Sequence, residues 1–200
     1  MRKLAMFGGT FNPVHSGHVR MALDSARQLA LDKVYLIPTN IPPHKAYREE
    51  VSGRDRLTMC RLAAKGCPKL AVSDIELQRE GPSFTVDTLR ELHRRMPDAE
   101  WYLITGADMF LTLLEWKEPD EIFRLATICA VPRDKSDISV LQTHANALKC
   151  RKACTRLLDL PRMPVSSTQI RETLRKGGSI TGMVPRSVEQ YILQHNLYRE

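Results

Sequence analysis

Two histidines spaced as His15-Ser16-Gly17-His18 stand directly behind Gly8-Gly9-Thr10-Phe11-Asn12-Pro13, and no other stretch of the chain concentrates so much potential chemistry. An apolar run at 4–7 precedes them, and Val19, Ala22, Leu23, Ala26 and Ala30 follow at helical spacing. A strand, a glycine turn and a helix beginning near Ser16 are therefore expected in that order. Gly8 and Gly9 would let the backbone turn sharply and lie close to a ligand, having no Cβ to obstruct it. His15 would precede the first helical turn and His18 lie within it, so that both rings can face one side. A helix N-terminus offers unpaired N–H groups and the positive end of its dipole, and phosphate is the guest that suits it. Taken singly, a histidine at a helix start is usually a cap, and Gly-Gly after a strand is usually a turn. Their conjunction is much rarer than its parts.

More polar groups gather where strands end or helices begin. Ser166-Ser167-Thr168, with Arg171 on the first turn of the following helix, makes a second anion-binding corner. Pro42-Pro43-His44-Lys45 is a stiffened loop that would carry Lys45 toward phosphate. Gly81-Pro82-Ser83-Phe84-Thr85 reads as a helix start capped by Ser83, with N–H groups near Thr85 that suit a carboxylate. Gly106-Ala107-Asp108 follows an apolar strand at 100–105, where Asp108 would cap the next helix or read a ribose hydroxyl or an amino group. Trp116, flanked by Glu115 and Lys117, is expected to be more exposed than a core tryptophan and to offer a ring for stacking.

Such groups meet only if a scaffold ends several strands at one place. Apolar runs at 33–38, 70–72, 100–105 and 126–131 alternate with helical patterns at 54–64 and 85–96, and with a helix from 140 whose boundary against a strand at 155–160 stays open. Gly177-Gly178 ends the helix that carries Arg171, and Pro185 opens a last one over 186–197. The expected fold class is α/β: an open, mainly parallel sheet with helices on both faces and a C-terminal helical portion, in one domain over 1–200.

Thirty Lys and Arg against 23 Asp and Glu give a net charge of +7, which invites a polyanionic partner. The basic residues are dispersed and aromatics are only 6% of the chain, so phosphorylated small molecules fit better than nucleic acid. No apolar run reaches the roughly 18 residues of a membrane span, and no cleavage pattern of a signal peptide follows Met1; a cytoplasmic protein is expected. Five cysteines without a Cys-x-x-Cys pair argue for reduced thiols, and Cys150, Cys154 and His144 make only a weak metal signal. Homo-oligomer formation stays open.

Together the segments resemble the bacterial nicotinate-nucleotide adenylyltransferases over nearly the entire chain. The glycine-histidine motif marks their nucleotidyltransferase superfamily. Pro-Pro-His-Lys, Ser-Phe-Thr-Val-Asp-Thr-Leu, Gly-Ala-Asp-Met-Phe with the later tryptophan, and Val-Ser-Ser-Thr-Gln-Ile-Arg mark the family. The resemblance implies a Rossmann-like fold and adenylyl transfer from ATP to nicotinate mononucleotide on the route to NAD, with Mg²⁺ bridging ATP phosphates. It implies that His15, His18, Ser167 and Arg171 hold those phosphates, that Gly8, Gly9, Thr10 and Phe11 line the turn, and that Gly106 and Asp108 meet the adenosine. Thr85 would receive the nicotinate carboxylate, Trp116 stack on the pyridine, and Lys45 assist at phosphate. Two departures stand out: relatives often carry Arg-Pro-Gly where this chain has Pro132-Arg133-Asp134, and an aromatic residue where it has Lys117. The alternatives are another adenylyl- or cytidylyltransferase, such as one for pantetheine phosphate, and a non-catalytic basic nucleic-acid-binding module.

Overall fold

A computed structural model of the chain describes residues 1–43, 51–134, 136–161 and 164–199. Strands β1 (Arg2–Gly9), β2 (Lys33–Pro38), β3 (Leu70–Val72), β4 (Ala99–Gly106), β5 (Thr127–Val131) and β6 (Thr155–Leu157) form one parallel sheet in the order β3-β2-β1-β4-β5-β6. Helices α1 (Ser16–Gln28) and α2 (Gly53–Ala64) make the crossovers on one side of β1. Helices α3 (Thr85–Arg95), α4 (Ala107–Leu111), α5 (Pro119–Leu125) and α6 (Asp137–Lys149) follow, with a 3-10 turn at Leu113–Glu115. Helices α7 (Ser167–Arg175) and α8 (Arg186–Gln194) close the chain.

The two-residue period of the strands divides the core. Ala5, Phe7, Tyr102 and Ile104 pack with Ala22, Met59, Ile170 and Val188 of α1, α2, α7 and α8. Leu4, Met6, Trp101 and Leu103 pack on the opposite face with Leu89, Phe110, Ile122 and Leu141 of α3 to α6. Crossovers leave β1 and β4 toward opposite faces, so the strand order reverses between them, which is where open α/β sheets bind ligands. The register opens the crevice: β1 pairs with β2 as far as Gly9 and Pro38, but with β4 only as far as Met6 and Leu103.

Several expectations are corrected. Gly8 and Gly9 are the last residues of β1 rather than a turn, and neither has a positive φ; the chain turns at Phe11, with φ of 46°, and at the cis Asn12–Pro13 peptide. Gly9 lacks a side chain because the Phe11 ring lies over it, 3.2 Å from where a Cβ would stand. The boundary left open after 140 is resolved in favour of both elements: α6 ends at Lys149, and a strand at 155–157 forms the sheet edge β6. Ser83 does not cap α3, whose N-cap is Phe84; its Oγ accepts from the Asn40 N–H at 3.0 Å and ties the loop after β2 to the loop before α3.

The C-terminal helices brace the segment between β1 and α1. The Met183 carbonyl accepts from the Ser16 N–H at 2.9 Å, and the Tyr198 hydroxyl donates to Asn12 Oδ1 at 2.5 Å, both side chains being buried. Tyr198→Phe leaves that acceptor without its donor. It is expected to lower stability by about 1–3 kcal/mol, read as a shift of the urea midpoint; an unchanged midpoint would show that the tail does not hold this segment.

Candidate active site

The crevice holds a cavity of 330 Å³. Its floor is Met6, Phe7, Gly8 and Gly9 of β1 with Leu103 to Gly106 of β4. Thr10, Phe11, His18 and Ser167 wall one side, and Thr39, Pro42, Pro43, Glu76, Ser83, Thr85, Met109 and Trp116 close the rest. Nine of the residues singled out in the sequence thus meet around one space: Gly8, Gly9, Thr10, Phe11, His18, Thr85, Gly106, Trp116 and Ser167.

The two histidines form a reciprocal cap. His15 Nδ1 accepts from the His18 N–H and His18 Nδ1 from the His15 N–H, each at 3.3 Å, and the rings stack with centroids 3.6 Å apart. Gly17 makes this fit, since a Cβ there would stand 3.0 Å from the His15 ring. Two of the N–H groups expected to await an anion are therefore taken, that of Ser16 by Met183 and that of His18 by His15. With both Nδ1 atoms accepting, the proton of each neutral ring sits on Nε2 and is left to donate. Burial lowers the His15 pKa to about 4 and holds His18 well below the usual imidazole range, the neighbouring His15 adding to the effect. His15 is stacked behind His18 and is not among the residues lining the cavity.

The cations stand behind the backbone. Arg171 Nη1 donates to the Asn12 carbonyl at 2.8 Å, and Ser167 Oγ donates to the Pro13 carbonyl at 2.9 Å. Arg56, fully buried, donates through Nη1 to the carbonyls of Thr10 at 2.9 Å and Thr39 at 2.7 Å, tying the ends of β1 and β2 together. A peptide whose carbonyl is pulled toward Arg56 directs its N–H the opposite way, which orients the Phe11 amide. Asp108, expected as a cap or ribose reader, is not the N-cap of α4, which is Gly106; it is exposed, outside the cavity lining, and paired with Arg133. Trp116, expected to be exposed, is buried: Nε1 donates to Thr112 Oγ1 at 3.2 Å while the residue lines the cavity. Lys117 is turned away, pairing with Asp87 at 3.1 Å over the Phe84 ring. Lys45 lies outside the described residues. Cys150 and Cys154 are exposed, and the His144 ring packs on Phe110; among the described residues no three His, Cys, Asp or Glu side chains are grouped to hold a metal.

Arg56 and Glu76 were not anticipated. Arg56 did leave a signal, because it falls on the apolar stripe with Cys60 and Ala63. Glu76 left none. It is buried in the cavity wall, accepting at 2.8 Å from Thr88 Oγ1, and burial raises its pKa to about 7 against the opposing pull of Thr88, Arg79, Ser83 and Thr39.

A crevice at the reversal of a parallel sheet, with a histidine-capped helix on one wall and the Trp116 ring on another, defines a ligand-binding α/β protein of the doubly wound type. The family model described as cytidylyltransferase-like matches residues 6–173. The "Probable nicotinate-nucleotide adenylyltransferase" of Synechococcus sp. (strain JA-3-3Ab) is 43% identical over 98% of this chain and 95% of its own, and that of Geobacillus kaustophilus is 38% identical over 99% and 87%. The fold also matches the nicotinic acid mononucleotide adenylyltransferase of Plasmodium falciparum complexed with NaAD, with a TM-score of 0.76 and 18% identity over 99% of this chain and 98% of that one. The chain belongs to the cytidylyltransferase-like family. Within that family, its full-length curated relatives carry the name of the nicotinate-nucleotide adenylyltransferases.

The depressed histidines make stability depend on acid. Between pH 6.5 and about 4 the unfolded chain takes up protons that the folded site refuses, so stability is lost as pH falls through that window. His15→Asn keeps an N-cap acceptor but cannot titrate. Urea midpoints across the window should then fall less steeply, by up to about 1.4 kcal/mol per pH unit; a slope equal to that of the unaltered protein would mean that His15 is not the group refusing the proton.

Proposed function

We propose that the protein transfers the adenylyl group of ATP to nicotinate mononucleotide, giving nicotinate adenine dinucleotide and pyrophosphate for NAD biosynthesis, and that the whole chain acts as one nucleotidyltransferase domain. The observation that carries this reading is that Thr85 and Trp116 line the same cavity as His18 and Ser167, across the gap between β1 and β4. One wall suits phosphates, and the other suits a flat ring bearing an anionic substituent.

The nucleophile needs no base from the protein, since a phosphate monoester is largely dianionic at neutral pH, its second pKa being about 6. Attack on the α-phosphorus of ATP must instead overcome the repulsion of two polyanions and the charge growing on pyrophosphate, so catalysis rests on alignment and on donors fixed in advance. His18 gives its Nε2–H to a phosphate oxygen, and the stacked His15 fixes its ring. The Ser167 backbone N–H at the start of α7 and the Thr10–Phe11 backbone take the adjoining oxygens, while Arg56 and Arg171 hold the carbonyls of Thr10 and Asn12 and lend positive potential from behind. Gly106 lets the adenosine lie against the end of β4, where no atom comes within 4 Å of the missing Cβ position. Asp108 reaches the adenosine once it exchanges Arg133 for substrate, and Lys45 joins at the acceptor phosphate. The open first turn of α3, with no side-chain cap, receives the nicotinate carboxylate at Thr85. With no three His, Cys, Asp or Glu side chains grouped to hold a metal among the described residues, Mg²⁺ would enter with ATP, held mainly by substrate oxygens and water, and would supply charge neutralisation to the leaving group. Free cysteines and soluble substrates support a cytoplasmic location for the reaction.

Pyrophosphate release with ATP and Mg²⁺ tests the reading. Nicotinate mononucleotide should be strongly preferred over nicotinamide mononucleotide, and pantetheine phosphate should give no turnover. Silence with both pyridine nucleotides, or salt-sensitive nucleic-acid binding without turnover, would refute it. His18→Ala, confirmed as folded by its thermal melt, should lower kcat by about 10²-fold or more, the scale of one lost transition-state donor; near-normal kcat would remove His18 from the chemistry.

A further inference from the structure

The wall of the cavity below α3 carries a group that the proposed reaction does not use. Glu76 lies on the turn after β3, is 2% exposed, and lines the same cavity as Thr85 and Trp116. Its Oε1 accepts from Thr88, which lies on the opening turn of α3 just beyond Thr85, so the carboxyl sits beneath the helix end proposed to receive the ring substituent.

The charges around it are otherwise engaged. Arg79, from the same turn, donates to Thr88 Oγ1 at 2.8 Å and is the charged group that acts on Glu76. On α3, Asp87 is held by Lys117 at 3.1 Å. From the end of β2 and the loop before α3, Thr39 and Ser83 offer hydroxyls. Across the cavity His18 is neutral, and Arg56 is directed to the Thr10 and Thr39 carbonyls. No Lys or Arg among the described residues lines this cavity to offset a second negative charge.

We propose that Glu76 is a specificity-determining residue, whose carboxyl beneath the first turn of α3 reads the charge of the pyridine substituent. Protonated, it leaves the helix end free to bind a carboxylate and can itself donate to it. Ionised, it sets two like charges together in a water-poor wall and penalises the acid nucleotide, whereas a neutral amide is little affected. Burial, which raises the Glu76 pKa to about 7, puts this exchange in the physiological range. The inference rests on the adenylyl-transfer reading and makes its acid preference depend on pH.

The experiment is the ratio of kcat/KM for nicotinate mononucleotide to that for nicotinamide mononucleotide, measured from pH 6 to pH 9. Both acceptors carry the same phosphate, and both meet the same histidines, so those titrations cancel in the ratio. The ratio should fall about tenfold or more with rising pH, one unit of coupling between the two carboxyl groups being tenfold. Glu76→Gln should give a ratio independent of pH. Arg79→Gln, which removes the cation that favours ionised Glu76, should move the midpoint of the profile upward, an outcome that a purely structural role for Glu76 does not produce. A pH-independent ratio in the unaltered protein, or an unaltered slope in Glu76→Gln, overturns this inference while leaving adenylyl transfer intact. Absence of turnover with both acceptors overturns the parent reading and this one with it.

Discussion

The early parting of β1 from β4 is the constraint on which the rest of the molecule depends. Each strand stays anchored on its outer side, β1 to β2 through Gly9 and β4 to β5 through Gly106, and they separate only from each other, after Met6 and Leu103. The crevice is therefore a gap inside a rigid sheet, with helices diverging to opposite faces at its mouth. Groups proposed to bind substrate stand on both lips and beside them: His18 and Ser167 by β1, Gly106 at the end of β4, and the α3 end tied to the loop after β2. Groups held this way need little reorganisation when substrates meet between them.

The distribution of charge follows from the same geometry. Arg56 and Arg171 stand behind the segment after β1 and pull on its carbonyls, and the histidines at the entry of α1 are kept neutral by burial. The cavity surface itself presents hydroxyls, a ring N–H and one carboxyl. Donors of this kind can meet a polyanion without first losing salt-bridge partners inside the site, and the positive potential arrives through oriented peptides. The C-terminal helices complete the arrangement, because α7 supplies Ser167 and Arg171, and the tail beyond α8 supplies Tyr198 against Asn12.

What could be read from the linear chain was whatever repeats over a few residues. Apolar runs located β1 to β5, and helical spacing located α1, α2 and α3 but not α5 at Pro119–Leu125; the interval from His15 to His18 placed both rings at the entry of α1, since three residues on a helix bring side chains together wherever the helix sits. The same logic placed the α7 corner and the α3 end. Local context misled where a distant neighbour decided the outcome. Gly8-Gly9 continued the strand because β2 was there to pair with them. Ser83 left its helix for Asn40, and Trp116, between two charged residues, was covered by the core of α3 to α6.

The sequence by itself determined the order of β1 to β5 with α1, α2 and α3, the histidine pair and its helix entry, and the family these motifs resemble, because each is written in residue types over a short span. Tertiary structure decided which polar groups face the cavity and in what charge state. Asp108 is met by Arg133 from 25 residues away, Asn12 by Tyr198 from 186 away, and Glu76 is enclosed by a helix that the chain reaches only later. Partner choice and desolvation depend on every element packed around a side chain, and no spacing along the chain records them.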